Sequence, residues 1–161
     1  AAQKAAYIVK PGDGSQGEGI FIARCCHELE AARALESAIG QTYVDRPLLL
    51  DGLKFDLRLY ICLIGLETPR AFLCREGLAR FATVPYEEPD SSRKLNLKAH
   101  LTNYSLNKGS ADFVSSGPDG SLDAHASKRP LSLLLRQLRS KSLVARFNES
   151  FFWDATEQMA A

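Results

Sequence analysis

Tyr7-Ile8-Val9-Lys10-Pro11-Gly12-Asp13-Gly14-Ser15-Gln16-Gly17-Glu18-Gly19-Ile20-Phe21-Ile22 places two short apolar runs on either side of a glycine-rich loop. That pattern predicts an antiparallel hairpin. The loop matches G-x-G-x-x-G, but a dinucleotide fingerprint needs a helix immediately after it, so that the helix N-terminus meets the pyrophosphate. The β-like Ile20-Phe21-Ile22 follows instead. A Walker A loop needs Gly-Lys-Ser/Thr, and Gly17 is followed by Glu18. What remains is a flap whose backbone N–H groups can face phosphates, with Lys10 at the end of the first strand. Taken alone, the same residues read as readily as a plain turn beside a solvated lysine, because short motifs often match by chance.

Working outward, residues 27–39 carry Leu29, Ala32, Leu35 and Ile39 near helical spacing, with Gly40 just past the expected end. Residues 41–44 read as a strand that Pro47 interrupts; 48–50 resume it, and Asp51-Gly52 is a hairpin turn signal. Residues 53–65 give the clearest strand. Phe55, Leu57, Leu59, Ile61 and Leu63 fall on one face, and Lys54, Asp56, Arg58, Tyr60 and Cys62 on the other. Lys54, Asp56 and Arg58 therefore form a charged row. Its cations suit a phosphate or carboxylate, and the acid between them can orient a donor. A wet sheet face would show the same alternation. Residues 70–74 and 78–81 read as strands about a Glu76-Gly77 turn, a hairpin that can carry Arg80 beside the row. By itself Arg80 is equally an ordinary surface arginine.

Residues 86–98 read as a polar loop. Residues 110–128 are rich in Gly, Ser, Asp and Ala. Between them His100-Leu101-Thr102-Asn103-Tyr104-Ser105 concentrates short polar side chains and a histidine, which can bond an anion or a ribose, or simply cap a local turn. Residues 130–147 read as a helix with Leu131, Leu134, Leu135, Leu138 and Val144 on one stripe and Pro130 in its first turn. Residues 150–161 read as another. Lys128, Arg129, Arg136, Arg139, Lys141 and Arg146 make a basic stretch, either a solvated face or a docking surface for an acidic polypeptide.

Composition narrows the classes. The chain has 161 residues, 45% hydrophobic and 24% charged, which is ordinary globular usage. Lys+Arg 20 against Asp+Glu 19 leaves a net charge of +1, which argues against nucleic acid held by bulk charge. No apolar run reaches the ~20 residues that span a bilayer, so no membrane partner is expected. The N-terminal residues lack a signal-peptide core, and without an initiator Met position 1 is not expected to be the natural start. Cys25, Cys26, Cys62 and Cys74 lack zinc spacing, and read as reduced, mostly buried thiols of an intracellular protein.

Together these motifs resemble the tubulin–tyrosine ligase-like family, in its tubulin polyglutamylase type. The carriers are the flap at 7–20, Gln41-Thr42-Tyr43-Val44-Asp45-Arg46-Pro47-Leu48-Leu49, Lys54-Phe55-Asp56-Leu57-Arg58, Arg75-Glu76-Gly77-Leu78-Ala79-Arg80 and His100 to Ser105, in the family's order. Ser127-Lys128-Arg129-Pro130-Leu131-Ser132 also fits. The resemblance implies an α+β chain with an incomplete ATP-grasp-type ligase fold: an antiparallel sheet, a glycine-rich phosphate flap and flanking helices. It implies residues 1–161 as part of that domain, with its N- and C-terminal parts absent. It also implies ATP and Mg²⁺ as cofactors and glutamate as co-substrate. The implied partners are the acidic C-terminal tails of tubulin and microtubules, in the cytoplasm and cytoskeleton, with the cilium or basal body as a further location. The expected reaction makes an acyl phosphate that an amine attacks, which requires cations placed in advance.

By the same resemblance Lys10 contacts the ATP phosphates, and Gln16 and Gly17 cover them. Gln41, Tyr43 and Val44 line the adenine pocket. Lys54, Asp56, Thr102 and Asn103 hold the nucleotide, and His100 is a further contact. Arg58 and Arg80 face the reacting carboxylate and γ-phosphate, while Arg80, Tyr104, Ser105 and Lys128 hold the incoming amino acid. Two departures stand out. Glu18 occupies a position where many glutamate-adding relatives carry a base. The family's metal ligands, on an aspartate strand and a Leu-Glu-Val-Asn-like strand, find no match, so these 161 residues alone are expected to be inactive. A non-catalytic microtubule-docking module and a glycine- or tyrosine-adding ligase are the alternatives. A protein kinase is excluded by the lack of Val-Ala-Ile-Lys and His-Arg-Asp motifs.

Overall fold

The computed structural model describes residues 6–13, 15–35, 37–89, 94–116, 123–140 and 147–160. The chain divides into two compact units, residues 1–55 with 82–113, and residues 56–81 with 114–161.

In the first unit, β1 (Tyr7–Pro11) is the middle of a three-stranded sheet between β2 (Phe21–Ala23) and β3 (Ala38–Thr42). β1 and β2 pair antiparallel, with Tyr7 opposite Ala23 and Val9 opposite Phe21, so the expected flap hairpin forms. The expected helix over 27–39 does not. Helix α1 (Cys26–Glu30) gives way to a 3-10 turn at Ala31–Ala34, and Ile39 and Gly40 join β3. All five β3 residues pair with β1, from Pro11 opposite Ala38 to Tyr7 opposite Thr42. The helical spacing misled because it was not a buried stripe: α1 buries none of its residues, and Ile39 is 66% exposed. The open edge of β1 needed backbone partners, and that need outweighed local helix preference. A small core of Ala6, Ile22 and Tyr43, with Ile8, Tyr86 and Leu95 against it, lies beneath this sheet.

β4 (Leu49–Leu50) and the start of β5 (Leu53–Arg58) form the hairpin that Asp51-Gly52 announced. Both turn residues have positive φ, 55° and 75°, as the tight mirror-image turn requires. In the stretch expected to be a polar loop, Asn96 caps α2 (Leu97–His100) by accepting from Lys98 N, and α3 (Tyr104–Asn107) follows.

In the second unit the long strand expected over 53–65 is broken. β5 ends at Arg58, and β6 (Ile61–Ile64) pairs only with β7 (Arg70–Leu73). A Cβ on Gly77 would lie 2.5 Å from the Arg58 carbonyl oxygen, so the chain entering β8 (Leu78–Phe81) crosses tightly over the end of β5. The hairpin expected between 70–74 and 78–81 is also replaced. β7 turns back on β6, while β8 pairs with β9 (Lys128–Pro130), a strand not expected from the sequence. The apolar row is consequently not continuous core: Ile61 is 47% and Leu63 70% exposed.

Helix α4 (Leu131–Ser140) begins one residue after Pro130. Its expected continuation over 141–146 lies outside the described residues, and part of the 110–128 segment does too. The Glu76 carboxylate accepts from Ser132 N at 3.1 Å and Gly77 N at 2.8 Å, so a turn residue caps the helix from outside. Leu131, Leu134, Leu135 and Leu138 are buried as the stripe predicted. α5 (Glu149–Ala160) is the second expected helix, capped by Asn148 Oδ1 on Phe151 N. Arg75 pairs with Glu157 and lies 4.7 Å from the Trp153 ring, which ties α5 to the turn before β8.

All four cysteines are free thiols, but the expectation of burial fails: Cys26, Cys62 and Cys74 are exposed and Cys25 is half-buried. Cys62 sits on β6, all of whose residues are exposed. Leu134 has no exposed surface. Leu134→Ala is expected to cost about 2–5 kcal/mol in chemical denaturation. Exposed Arg136→Ala on the same helix should change stability by no more than about 0.5 kcal/mol.

Candidate functional site

The flap is shaped by its backbone. Gln16, Gly17 and Gly19 have positive φ of 55°, 92° and 68°. At Gly17 a side chain would be excluded twice, by that φ and by Asn103, whose Cγ would lie 2.9 Å from a Cβ. Ser105 Oγ donates to the Gln16 carbonyl at 2.6 Å. Asn103 and Ser105 thus meet the flap at adjacent residues, which joins two motifs some ninety positions apart. Such a loop, with cations near it, suits a polyphosphate, because backbone N–H groups in a left-handed turn can face an anion, and Glu18 is exposed.

Lys10 stands at the end of β1, and its ammonium donates to Gln41 Oε1 on β3 at 2.9 Å. The register makes them diagonal neighbours, since Lys10 faces Ile39 and Gln41 faces Ile8. Just past β3, Tyr43 is buried and Val44 is 66% exposed.

The buried end of the first unit is a polar cluster. Lys54 Nζ donates to Tyr43 Oη at 2.9 Å, and that hydroxyl lies 2.8 Å from His100 Nδ1. Lys54 Nζ is also 4.4 Å from the Tyr43 ring centroid and 6.0 Å from that of Tyr86. Tyr86 packs edge-on to the His100 ring at 5.2 Å, and its hydroxyl donates to the Asp45 carbonyl at 2.5 Å. His100 is 3% exposed. Burial first, then the charges of Lys54 and Arg24, push its pKa down to about 4, so it is neutral at pH 7. Burial likewise holds the Tyr43 phenol well above its ordinary value, so it keeps its proton.

The polar segment around His100 is pinned from below by Asn107. Its amide nitrogen donates to the Leu101 carbonyl at 2.8 Å and the Asn103 carbonyl at 3.0 Å, while its oxygen accepts from Thr83 N and Oγ1. Thr102 is buried, Asn103 half-buried and Tyr104 exposed.

The second unit carries the other candidates. Arg80 on β8 donates from Nε to Asp56 Oδ1 at 2.9 Å and from Nη2 to Oδ2 at 2.5 Å, a bidentate pair. That bonding raises the guanidinium's already high pKa. The β8–β9 register sets Arg80 directly opposite Lys128, on the same sheet face. Arg58, at the end of β5, is exposed. Arg129, next to Lys128, is 2% exposed: it lies 3.8 Å from the Phe81 ring centroid and donates to the Ala126 carbonyl and to Gln137 Oε1.

Sequence reasoning missed Tyr86, Asn107, Glu76 and Arg129 as supporting groups. Tyr86 and Asn107 sat in or beside polar segments where nothing local marks burial. Glu76 was legible only as part of a turn, and Arg129 only as one of a basic run.

Among the described residues, no group of three or more His, Cys, Asp or Glu could hold a metal ion. Among the described residues no helix is long and apolar enough to cross a membrane.

Comparison with known proteins places this geometry in context. A model described as "Tubulin-tyrosine ligase family" matches residues 1–158. The chain is 42% identical over 153 residues to tubulin polyglutamylase TTLL13 of Homo sapiens, covering 95% of this chain and 17% of that protein. It is 40% identical over 154 residues to human tubulin polyglutamylase TTLL6, covering 95% and 16%, and 40% identical over 142 residues to human TTLL11, covering 87% and 19%. The chain thus spans under a fifth of the length of these relatives.

Because the folded-state pKa of His100 is depressed, its contribution to stability is complete above about pH 6.5 and is lost as the pH falls through about 4. Denaturation midpoints measured from pH 7 to 4 should fall more steeply in the wild type than in His100→Gln. Parallel slopes would show that His100 titrates normally.

Proposed function

From the premise that this chain belongs to the tubulin–tyrosine ligase family, we propose that it supplies nucleotide- and amino-acid-binding parts of an ATP-dependent ligase with an ATP-grasp fold. The reaction is addition of glutamate to glutamate side chains of tubulin C-terminal tails. The observation that carries this reading is the flap itself, a loop in which any side chain at residue 17 would be strained and crowded by Asn103, held by the Ser105 bond to Gln16.

In this reading the flap backbone at Gln16 and Gly17 covers the phosphates, and Lys10 and Lys54 neutralise them. Gln41, Tyr43 and Val44 border the base, with Thr102, Asn103 and His100 as further contacts. ATP, when bound, supplies the phosphoryl group that turns a carboxylate into an activated acyl phosphate. Asp56 does two things: it contributes to nucleotide binding, and through its bidentate bond it fixes the guanidinium plane of Arg80. Arg58 and Arg80 stabilise the developing negative charge of the reacting carboxylate, since prearranged cations lose little free energy to reorganisation. Free glutamate brings two carboxylates. Arg80 and Lys128, opposite each other on one sheet face, offer two cations at a fixed spacing, and Asp56 offsets the repulsion between them. Tyr104 and Ser105 are proposed as additional amino-acid contacts.

The test uses the full-length protein with tubulin, Mg-ATP and, in separate reactions, glutamate, glycine or tyrosine, read by intact-mass spectrometry of the tubulin tails. Glutamate steps are expected. Arg80→Ala should slow them by about 10–100-fold, the range expected for losing a hydrogen bond to a charged group. Steps of glycine or tyrosine would change the amino acid assigned. No steps with any amino acid, with microtubule binding retained, would replace the ligase reading with a docking module.

A further inference from the structure

The buried cluster in the first unit is more ordered than binding by a lysine alone would need. Lys54 can only donate, so in its bond with Tyr43 the phenol oxygen accepts. A neutral His100 with its proton on Nε2 offers Nδ1, 2.8 Å away, as the acceptor for the one hydrogen of Tyr43. If His100 were charged, both its nitrogens would donate, and the Tyr43 hydrogen would have to turn away from it to the Tyr86 hydroxyl. The chain Lys54 to Tyr43 to His100 is therefore paired throughout when His100 is neutral. The groups around the imidazole favour that state: Lys54 from β5, Arg24 after β2, and the uncharged Tyr43 and Tyr86, with no acid among these neighbours.

We propose that Tyr43 and His100 are positioning residues that hold the Lys54 ammonium in the orientation in which it binds the nucleotide. The proposal rests on the nucleotide reading of Lys54 given above and deepens it. A lysine on a flexible stem gives up several rotamers when it binds a phosphate. Here the Tyr43 hydroxyl and ring have already restricted it, and His100 fixes the direction of the hydroxyl. Binding then needs less ordering. Tyr43 acts from inside the unit, at 6% exposure, so its hydroxyl contributes through Lys54.

The test is a double-mutant cycle in the full-length protein, with Mg-ATP affinity measured by calorimetry and KM measured separately for ATP and glutamate. Tyr43→Phe keeps the ring beneath the ammonium and removes only the hydroxyl. It is expected to weaken Mg-ATP about tenfold, and to raise KM for ATP while leaving KM for glutamate unchanged. In a Lys54→Ala background the same substitution should change affinity by no more than about twofold. His100→Gln, which can still offer an oxygen acceptor, should retain most of the affinity that His100→Leu loses. Unchanged affinity in Tyr43→Phe, or an equal loss in both backgrounds, would overturn the proposal while leaving the nucleotide site in place. If Lys54→Ala itself leaves Mg-ATP affinity unchanged, the nucleotide reading falls, and the proposal with it.

Discussion

Strand β1 is paired along both edges, and the two antiparallel registers set there decide where the candidate groups of the first unit stand. A slip of one residue would exchange the faces of every side chain on the strand. Val9, 1% exposed, would then leave the core, and Lys10 would be carried away from Gln41. The hairpin to β2 closes the flap, and pairing with β3 delivers Tyr43 to the buried cluster. One strand thus connects the loop proposed to cover phosphates with the lysine proposed to neutralise them.

In the second unit the equivalent constraint is the pairing of β8 with β9. It sets Arg80 against Lys128, an unfavourable pair of like charges directly across a ladder. Asp56 offsets this on one side, by a bidentate bond to Arg80. The buried guanidinium of Arg129 lies over Phe81 and bonds to Ala126 and Gln137, which locks the register from the opposite face. Glu76 adds the third fixture by capping α4 directly after β9. A sheet face with two adjacent cations is costly to maintain, and this arrangement maintains it with buried, bonded groups.

The same economy governs the polar interior of the first unit. Asn107 uses both ends of its amide, binding Thr83 on one side and the carbonyls of Leu101 and Asn103 on the other. Buried polar groups are tolerated only when so satisfied. The segment from His100 to Ser105 can therefore be rigid while containing little apolar surface, and rigidity is what a flap-holding segment needs.

Much of this was legible in the amino-acid order. Alternation and turn residues gave the flap hairpin, the Asp51-Gly52 turn, the start of β5 and the buried stripe of α4, because these depend on contacts near in sequence. The motif residues were legible too, since their types are set by the chemistry of anions. What the order could not show was pairing between distant segments. Residues 27–39 carry a helical rhythm, yet an open strand edge took Ala38–Thr42 as β3. The apolar row after Arg58 looked like one strand, yet the crossing at Gly77 ended it. Tyr86, Glu76, Asn107 and Arg129 became visible only when folding put each beside a partner far along the chain. Local sequence determined which groups were present and much of the local structure; tertiary pairing alone decided which groups meet, because burial and hydrogen-bond satisfaction are settled between segments.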